Sequence, residues 1–255
     1  MSVGRECQVH LLPQLVAPER LRGGVAVVID VLRASTTMIH ALAAGCTAVL
    51  PVAEVDEAQR LAGSMRAGKV ILGGERGGRP VPGFDLGNSP GEYTAAVCKG
   101  AALVLTTTNG TRAVLHAAAA DRVLVAGFVN FSAVCEQLLG DTRPIHLICA
   151  GTDGEVTLED VLLAGAFIEA FCDAGFAFND SARLAWDCFE HHGMVPRDAL
   201  QLSKGGANLL ALGYDEDILA AAAVDRFFLV PELRRAPLRL EIGGFGAARS
   251  YWPHR

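Results

Sequence analysis

The sequence predicts an α/β fold, a three-layer sandwich in which a mainly parallel β-sheet lies between helices. Runs of β-branched residues are typical of buried strands, and four stand out: VAVVID (25–30), ALVLTTT (102–108), RVLVAG (122–127) and IHLICAG (145–151). Most of them are followed by an alanine-rich segment with helical spacing. Because strand and helix alternate along the chain, the strands are expected to run in parallel, with helices on both faces.

Capping residues mark the ends of two predicted helices. Ser35 or Thr36 is predicted to cap a helix that stops at Gly45. Thr157 and Asp160 have the spacing of a capping box at the start of another helix. The two helices would directly follow the first and the last of the four strands.

The composition of the chain limits how many domains it can form and which classes of partner it can bind. The chain has 255 residues, 51% of them apolar, and no linker rich in Ser, Pro or Gly. It is therefore predicted to form a single α/β domain over residues 1–255, or two closely packed α/β halves. A formal charge of -6 without any basic run argues against a nucleic-acid partner.

The cysteines and the N-terminus predict a cytoplasmic protein. The seven cysteines are scattered and never spaced as CxxC, which argues against a disulfide framework or a zinc site. Residues 1–14 lack the pattern of an export signal, and no stretch approaches the roughly 18 apolar residues of a membrane span. We expect a soluble protein with no membrane partner, and an exposed apolar helix face would support a homodimer.

Residues 73–90, GGERGGRPVPGFDLGNSP, contain six glycines and three prolines. This composition predicts a long, stiff loop without helix or strand, in which glycine lets the backbone approach a ligand and proline limits its freedom. At the end of the segment, Ser89, Pro90 and Glu92 have the spacing of a helix start and are predicted to play that structural role.

Small polar residues follow three of the strands, in DVLRASTT (30–37), TTTNGTR (106–112) and CAGTDGEVTLED (149–160). In sheets of this kind, ligands gather beyond the carboxyl ends of the strands. Backbone N–H groups at helix starts, with Ser, Thr and Asn side chains, make a cradle for an anion. For any one loop, simple helix capping explains the same residues equally well.

Three carboxylates lie in or beside these loops. Asp30 follows a buried strand directly, and Glu75 and Asp85 lie in the glycine-rich segment. Carboxylates next to an anion cradle suggest a hard cation, because Mg²⁺ is held by a few carboxylates, waters and phosphate oxygens. The sequence therefore predicts a magnesium site.

Arginines near the same loops are candidates for binding an anionic ligand. Arg33, Arg76 and Arg79 could each offer bidentate hydrogen bonds, which suit a phosphate or sulfonate group. The alternative is that Arg76 and Arg79 are solvated loop residues and that Glu75 pairs with one of them.

The motifs DVLRASTT, GGERGG, GFDLGNSP, TTTNGT and CAGTDG followed by LEDVLLAG closely resemble those of the 2-phosphosulfolactate phosphatase family, in the family's order. The resemblance continues more weakly over residues 203–231. It implies Mg²⁺-dependent hydrolysis of (2R)-2-phospho-3-sulfolactate to 3-sulfolactate and phosphate, which is a step of coenzyme M biosynthesis in organisms that make that cofactor. The partner would be a small anionic phosphoester.

With this resemblance, the candidate residues take roles. The metal ligands would be Asp30, Glu75 and Asp85, and the catalytic carboxylates would be Asp30 together with Asp160 or Glu159. Asp160 or Glu159 could instead be a metal ligand, and the capping box is an equally good explanation of Asp160. The substrate oxygens would be bound by eight residues: Arg33, Ser35, Thr36, Arg76, Asn88, Asn109, Gly110 and Thr111. Direct attack by water and phosphorylation of a carboxylate both stay open.

Other phosphatase chemistries do not fit the sequence. A cysteine phosphatase needs an arginine six residues after its nucleophile, where Cys149 has Glu155. A haloacid-dehalogenase type needs an aspartate two positions after Asp30, where Leu32 stands. The GK pair, Gly68 and Lys69, is followed by Val70 rather than by the Ser or Thr of a Walker site.

A non-catalytic protein is the alternative from another class. The same loops could bind a phosphorylated or sulfonated acid without turning it over, as a sensor or carrier. Three carboxylates beside an anion would weaken such binding unless a cation lies between them.

Overall fold

The computed structural model describes residues 5–66, 68–192, 195–246 and 249–253. The expectation about an export signal rests in part on residues 1–4, which lie outside this description. The described strands join in one sheet: β1 Glu6–His10, β2 Val25–Ile29, β3 Ala48–Pro51, β4 Lys69–Arg76, β5 Arg79–Pro80, β6 Ala101–Thr106, β7 Arg122–Ala126, β8 Ile145–Cys149, β9 Ala177–Phe178, β10 Leu229–Arg235 and β11 Leu238–Phe245. Each of the four predicted strands is present.

Helices connect most of the parallel strands. Their bounds are α1 Ala34–Ala43, α2 Val55–Ser64, α3 Ala95–Cys98, α4 Gly110–Ala117, α5 Phe131–Leu139, α6 Leu158–Phe171, α7 Asp180–His192, α8 Pro196–Leu202, α9 Lys204–Leu212 and α10 Asp215–Ala221. Within the described part of the chain, none of them is long and apolar enough to cross a membrane.

The sheet has the order β5-β4-β6-β3-β11-β10-β7-β2-β8-β1-β9. Strands β4, β6 and β3 run parallel to one another, and so do β7, β2, β8, β1 and β9. The antiparallel hairpin β10–β11 lies between these two groups, pairing Glu232 with Leu124 of β7 and Leu240 with Val49 of β3. The prediction of a mainly parallel sheet is confirmed.

Both faces of the sheet are covered, as the side chains of β2 show. All five residues of this strand are buried. Val25, Val27 and Ile29 pack in a core with residues of α5, α6 and α7. Ala26 and Val28 point to the other face and pack with residues of α1 and α4. Alternate side chains of a strand enter opposite layers, so the predicted three-layer sandwich is confirmed.

The start of α1 differs from its predicted position. The N-cap residue is Arg33 rather than Ser35 or Thr36, which lie inside the first turn. Their hydroxyls bind the preceding loop: Ser35 Oγ accepts a hydrogen bond from the N–H of Asp30, and Thr36 Oγ1 donates to the carbonyl of Val31. These bonds fix the backbone that carries the first residue after β2.

The prediction of a capping box at the start of α6 is also wrong, although the helix begins where it was predicted. Thr157 is the N-cap residue. The carboxylate of Asp160 is used elsewhere, since it accepts hydrogen bonds from the N–H of Val31 at 2.8 Å and from that of Gly151 at 3.0 Å. Asp160 therefore joins the loops that follow β2 and β8.

Residues 73–90 are more regular than their composition predicts. Gly73 and Gly74 lie within β4 and pair with β6, and β5 returns as a short antiparallel strand. Gly74 has a φ of 155°, and a Cβ there would lie 2.1 Å from the carbonyl oxygen of Thr106. This strand position therefore requires glycine. Because residues 73–90 include the end of β4 and all of β5, the prediction of a segment without strands is wrong. A 3-10 helix, Pro90–Glu92, follows Ser89 as predicted.

A buried histidine pair should make the fold sensitive to acid. His10 Nε2 lies 3.1 Å from His146 Nδ1, and burial lowers the pKa of His10 from 6.5 to about 4. The unfolded chain therefore binds this proton more tightly, so stability is full above about pH 6.5 and is lost towards pH 4. In urea unfolding, the free energy of unfolding of the wild type should be lower at about pH 5 than at about pH 7.5. His10→Asn should reduce that difference by about 1 kcal/mol. The same difference should persist in His192→Gln, which removes an exposed ring.

Candidate active site

A cavity of about 380 Å³ opens at the carboxyl ends of β2, β6 and β8. The turn between β4 and β5 and one side of α9 complete its wall. Its polar lining includes six side chains: Asp30, Glu75, Asn88, Thr107, Thr108 and Asn109. The cavity lies at the edge of the sheet where the sequence predicts the ligand site.

Asp30 is held in the cavity wall by the start of α1. Its Oδ1 accepts a hydrogen bond from the N–H of Ala34 at 3.0 Å, and the residue is only 7% exposed. Burial raises the pKa of Asp30 to about 7, and the negative charges of Glu75 and Glu159 add to this shift. The ionised form of Asp30 is thus costly here unless a positive charge comes close.

Glu75 links two segments of the wall. Its Oε1 accepts a hydrogen bond from the N–H of Thr108, and its Oε2 accepts one from that of Gly78, both at 2.8 Å. These bonds fix the β4–β5 turn against the loop between β6 and α4. The carboxylate is buried, and it still lines the cavity.

Two further carboxyl groups, those of Glu159 and Asp160, are buried behind the wall of the cavity. Burial raises the pKa values of Glu159 and Asp160, and the charges of Asp30 and Glu159 raise that of Asp160 further. Glu159 is only 1% exposed, and its Oε2 lacks a hydrogen-bond partner among the described residues. It lies behind Gly205, where a Cβ would come within 2.1 Å of Glu159 Oε1. Carboxyl groups are therefore clustered around Asp30.

Arg33 supplies positive charge to the cavity lining. Its Nη1 donates to Asp217 Oδ2 at 2.6 Å, and its Nη2 donates to the carbonyl of Gly78 at 2.8 Å. The guanidinium also lies over the ring of Tyr214. Arg33 lines the cavity although it is 5% exposed, so its charge acts where water is largely excluded.

Two buried oxygens in the lining have no protein partner in the described ranges. They are Oδ1 of Asn88 and Oγ1 of Thr108. Buried polar atoms are nearly always hydrogen-bonded, so such atoms at a cavity surface indicate where a ligand, water or ion binds.

A model of the 2-phosphosulpholactate phosphatase family matches residues 10–236. The chain belongs to the 2-phosphosulfolactate phosphatase family. It is therefore an enzyme, a phosphoric monoester hydrolase. The cavity described above is the candidate active site of this family member.

Relatives within the family span most of the chain. A protein of Symbiobacterium thermophilum is 41% identical over 215 residues, which cover 84% of this chain and 92% of the relative. One of Deinococcus radiodurans is 41% identical over 229 residues, covering 89% and 92%. One of Thermotoga petrophila is 40% identical over 210 residues, covering 82% and 88%. Each is named a probable 2-phosphosulfolactate phosphatase.

The structure brings together only part of the residue set predicted for this phosphatase. Asp30, Arg33, Glu75, Asn88 and Asn109 line the cavity. Gly110 lies next to it, because a Cβ there would come within 2.5 Å of Asp30 Oδ2.

Arg76 and Asp85 lie outside the lining. The guanidinium of Arg76 donates to the carbonyl of Ala53 and to Thr106 Oγ1. Asp85 is exposed, and its Oδ2 accepts a hydrogen bond from the N–H of Leu72 at 2.8 Å. Both side chains are thus engaged in local structure, away from the cavity.

The predicted hydroxyl ligands are buried in the loops that support the site. Thr111 Oγ1 accepts a hydrogen bond from the N–H of Thr107 and donates to its carbonyl. Ser35 and Thr36 bind the loop after β2, as described above. These three hydroxyls shape the backbone around the cavity without lining it.

Sequence reasoning missed the wall formed by α9. Gly205, Asn208 and Leu209 line the cavity, and Ser203 caps this helix by accepting a hydrogen bond from the N–H of Gly206 at 3.0 Å. The weaker resemblance over residues 203–231 was the available signal. It covers α9 and α10 but does not show that they reach the site.

The oxygen-rich lining fits a hard divalent cation. In the described ranges, no three His, Cys, Asp or Glu side chains are grouped as a ready-made metal site. Mg²⁺ commonly takes one or two carboxylates and completes its shell with waters and substrate oxygens. Asp30 and Glu75, with the unpartnered oxygen of Asn88 nearby in the lining, match that kind of site.

Proposed function

We propose that this phosphatase hydrolyses (2R)-2-phospho-3-sulfolactate to 3-sulfolactate and inorganic phosphate, with Mg²⁺ as its cofactor. The observation that carries the proposal is that one cavity is lined both by the buried carboxyl groups of Asp30 and Glu75 and by the buried guanidinium of Arg33. A substrate with a phosphoryl group at one end and other anionic groups beyond it is complementary to this arrangement. The names of the relatives support the same substrate.

The carboxylate side of the cavity would receive the phosphoryl group. Asp30 and Glu75 would hold the cation, which when bound would neutralise the charge of the phosphoryl oxygens. The cation would also favour the ionised form of Asp30 despite its burial. Thr108, whose N–H binds Glu75, and Asn88 also offer unpartnered side-chain oxygens in the lining.

The proton-accepting group of the proposed reaction is Asp30. The N–H of Ala34 occupies its Oδ1, and Oδ2 is the oxygen next to Gly110. This second oxygen would take a proton from the attacking water and return it to the leaving alkoxide oxygen of 3-sulfolactate. Asp160, with both oxygens bound to backbone N–H groups, would act by holding the loops in place.

Release of inorganic phosphate tests the proposed function. Purified protein should release phosphate from 2-phospho-3-sulfolactate in Mg²⁺, lose this activity in EDTA, and regain it when excess Mg²⁺ is added. Isothermal calorimetry with 3-sulfolactate should be run in parallel. Binding without turnover of any phosphoester would instead favour a sensor or carrier, and full activity in EDTA would rule out the cofactor.

A further inference from the structure

We propose that Asp217 is a positioning residue, which aims Arg33 at an anionic group of the substrate that does not react. The inference rests on the proposed function, because it assigns one end of that substrate to one wall of the cavity. Asp217 lies in α10, outside the motifs that follow the strands.

Asp217 fixes one edge of the guanidinium. The ion pair Arg33–Asp217 is 2.6 Å long, and both side chains are 4% exposed. Gly78 and Tyr214 restrain Arg33 at two other points. A guanidinium has five N–H donors, and two of them are used in these bonds, so donors remain for an anion in the cavity. A guanidinium held in this way loses little freedom when it binds that anion.

Asp217 is itself fixed from the other side. Its Oδ1 accepts a hydrogen bond from the hydroxyl of Ser89, which directly follows the lining residue Asn88. One buried carboxylate thus restrains both Arg33 and the segment that carries Asn88. Asp217 does not line the active-site cavity, so its effect on substrate would pass through these neighbours.

The position of Arg33 favours an anion other than the phosphoryl group. Among the described residues that line the cavity, Arg33 alone has a positively charged side chain. In the proposed function, Asp30 and Glu75 would bind the phosphoryl group through the cation, so the guanidinium of Arg33 is left for the other end of the substrate. The carboxylate or sulfonate end of the substrate is therefore the partner of Arg33.

Calorimetry on Asp217→Asn separates this role from a structural one. Asparagine keeps the shape and a hydrogen-bonding oxygen but removes the charge that holds Arg33. We expect the Kd for 3-sulfolactate to rise about tenfold, while the Kd for inorganic phosphate changes less than about twofold. Asp215→Asn, an exposed position on the same helix, is the matched control and should leave both constants unchanged.

Two further variants keep the inference open to failure if Asp217→Asn folds poorly. Ser89→Ala retains the charge of Asp217 but frees its other oxygen, so it should weaken 3-sulfolactate binding in the same direction and by a smaller factor. Combining Arg33→Lys with Asp217→Asn should weaken binding little more than Arg33→Lys alone, because both act through one guanidinium.

The inference is overturned if sulfolactate and phosphate affinities fall by the same factor in folded Asp217→Asn, if neither falls, or if the losses in the double variant are additive. These binding measurements need no turnover. A protein that fails to hydrolyse phosphosulfolactate but shows the expected selective loss would refute the proposed reaction and leave the role of Asp217 standing.

Discussion

Replacing Asp30 by Asn should lower kcat/KM by about 10³-fold and, at the same time, stabilise the metal-free fold above about pH 7. In the proposed mechanism, the variant would lack both a charged ligand for the cation and the proton acceptor, so activity should be lost. Steady-state kinetics and urea unfolding in EDTA measure the two effects.

The gain in stability follows from the raised pKa of Asp30. Burial moves that pKa from 3.8 to about 7, so the folded chain binds the proton more tightly than the unfolded chain does. The associated stability is present below about pH 4 and is lost as the pH rises towards 7. Asparagine does not titrate, so Asp30→Asn should gain ~1–3 kcal/mol over the wild type near pH 8 and almost nothing near pH 4.

Asp85→Asn is the matched control for this experiment. It also removes a predicted metal ligand, but its carboxylate is exposed and bonded to Leu72. We expect activity within about twofold of the wild type and a stability loss of about 1 kcal/mol or less. A large loss of activity in Asp85→Asn, or a stability gain of Asp30→Asn that is independent of pH, would contradict this assignment.

Gly110→Ala should both destabilise the protein, by ~2–4 kcal/mol, and reduce kcat/KM by about 10²-fold. A Cβ at this position would lie 2.4 Å from Ala34 Cβ and 2.5 Å from Asp30 Oδ2. Neither neighbour can move easily, because Ala34 is in the first turn of α1 and binds Asp30 through its N–H. The added methyl group must therefore displace the carboxylate or the start of α4.

Gly91→Ala provides the comparison for this variant. A Cβ at Gly91 has nothing within 4 Å, and its φ is outside the left-handed region. Its thermal stability should stay within about 0.5 kcal/mol of the wild type, with full activity. Wild-type kinetics in Gly110→Ala would show that Asp30 does not need its observed position.

The strands could be predicted because the β-branched runs are buried on both faces, as in Val25–Ile29. The strands within residues 73–90 could not be predicted, because glycine has no intrinsic preference for the strand conformation. Pairing of Gly73 and Gly74 with β6 imposes that conformation. The start of α1 and the capping box of α6 were misjudged because Ser35 and Asp160 bind loop backbone rather than the first turns of their helices.

The strand assignment also decides which charged side chains reach the cavity. Successive side chains of β4 point to opposite faces, so Glu75 and Arg76 cannot both enter it. Glu75 lines the cavity, and Arg76 binds Ala53. A sequence segment taken as a loop carries no such alternation, and the predicted set therefore included both residues. The contribution of Asp217 depends on a contact between distant segments, which no local pattern reveals.

The hairpin β10–β11 has a consequence for how the chain folds as it is made. Among the described strands it is the last pair to be translated, yet it occupies the middle of the sheet, between β3 and β7. The facing edges of the two groups of parallel strands, which are translated earlier, cannot be joined until this hairpin is present. The complete active site should therefore form late in synthesis, since the residues that line it come from both groups of strands.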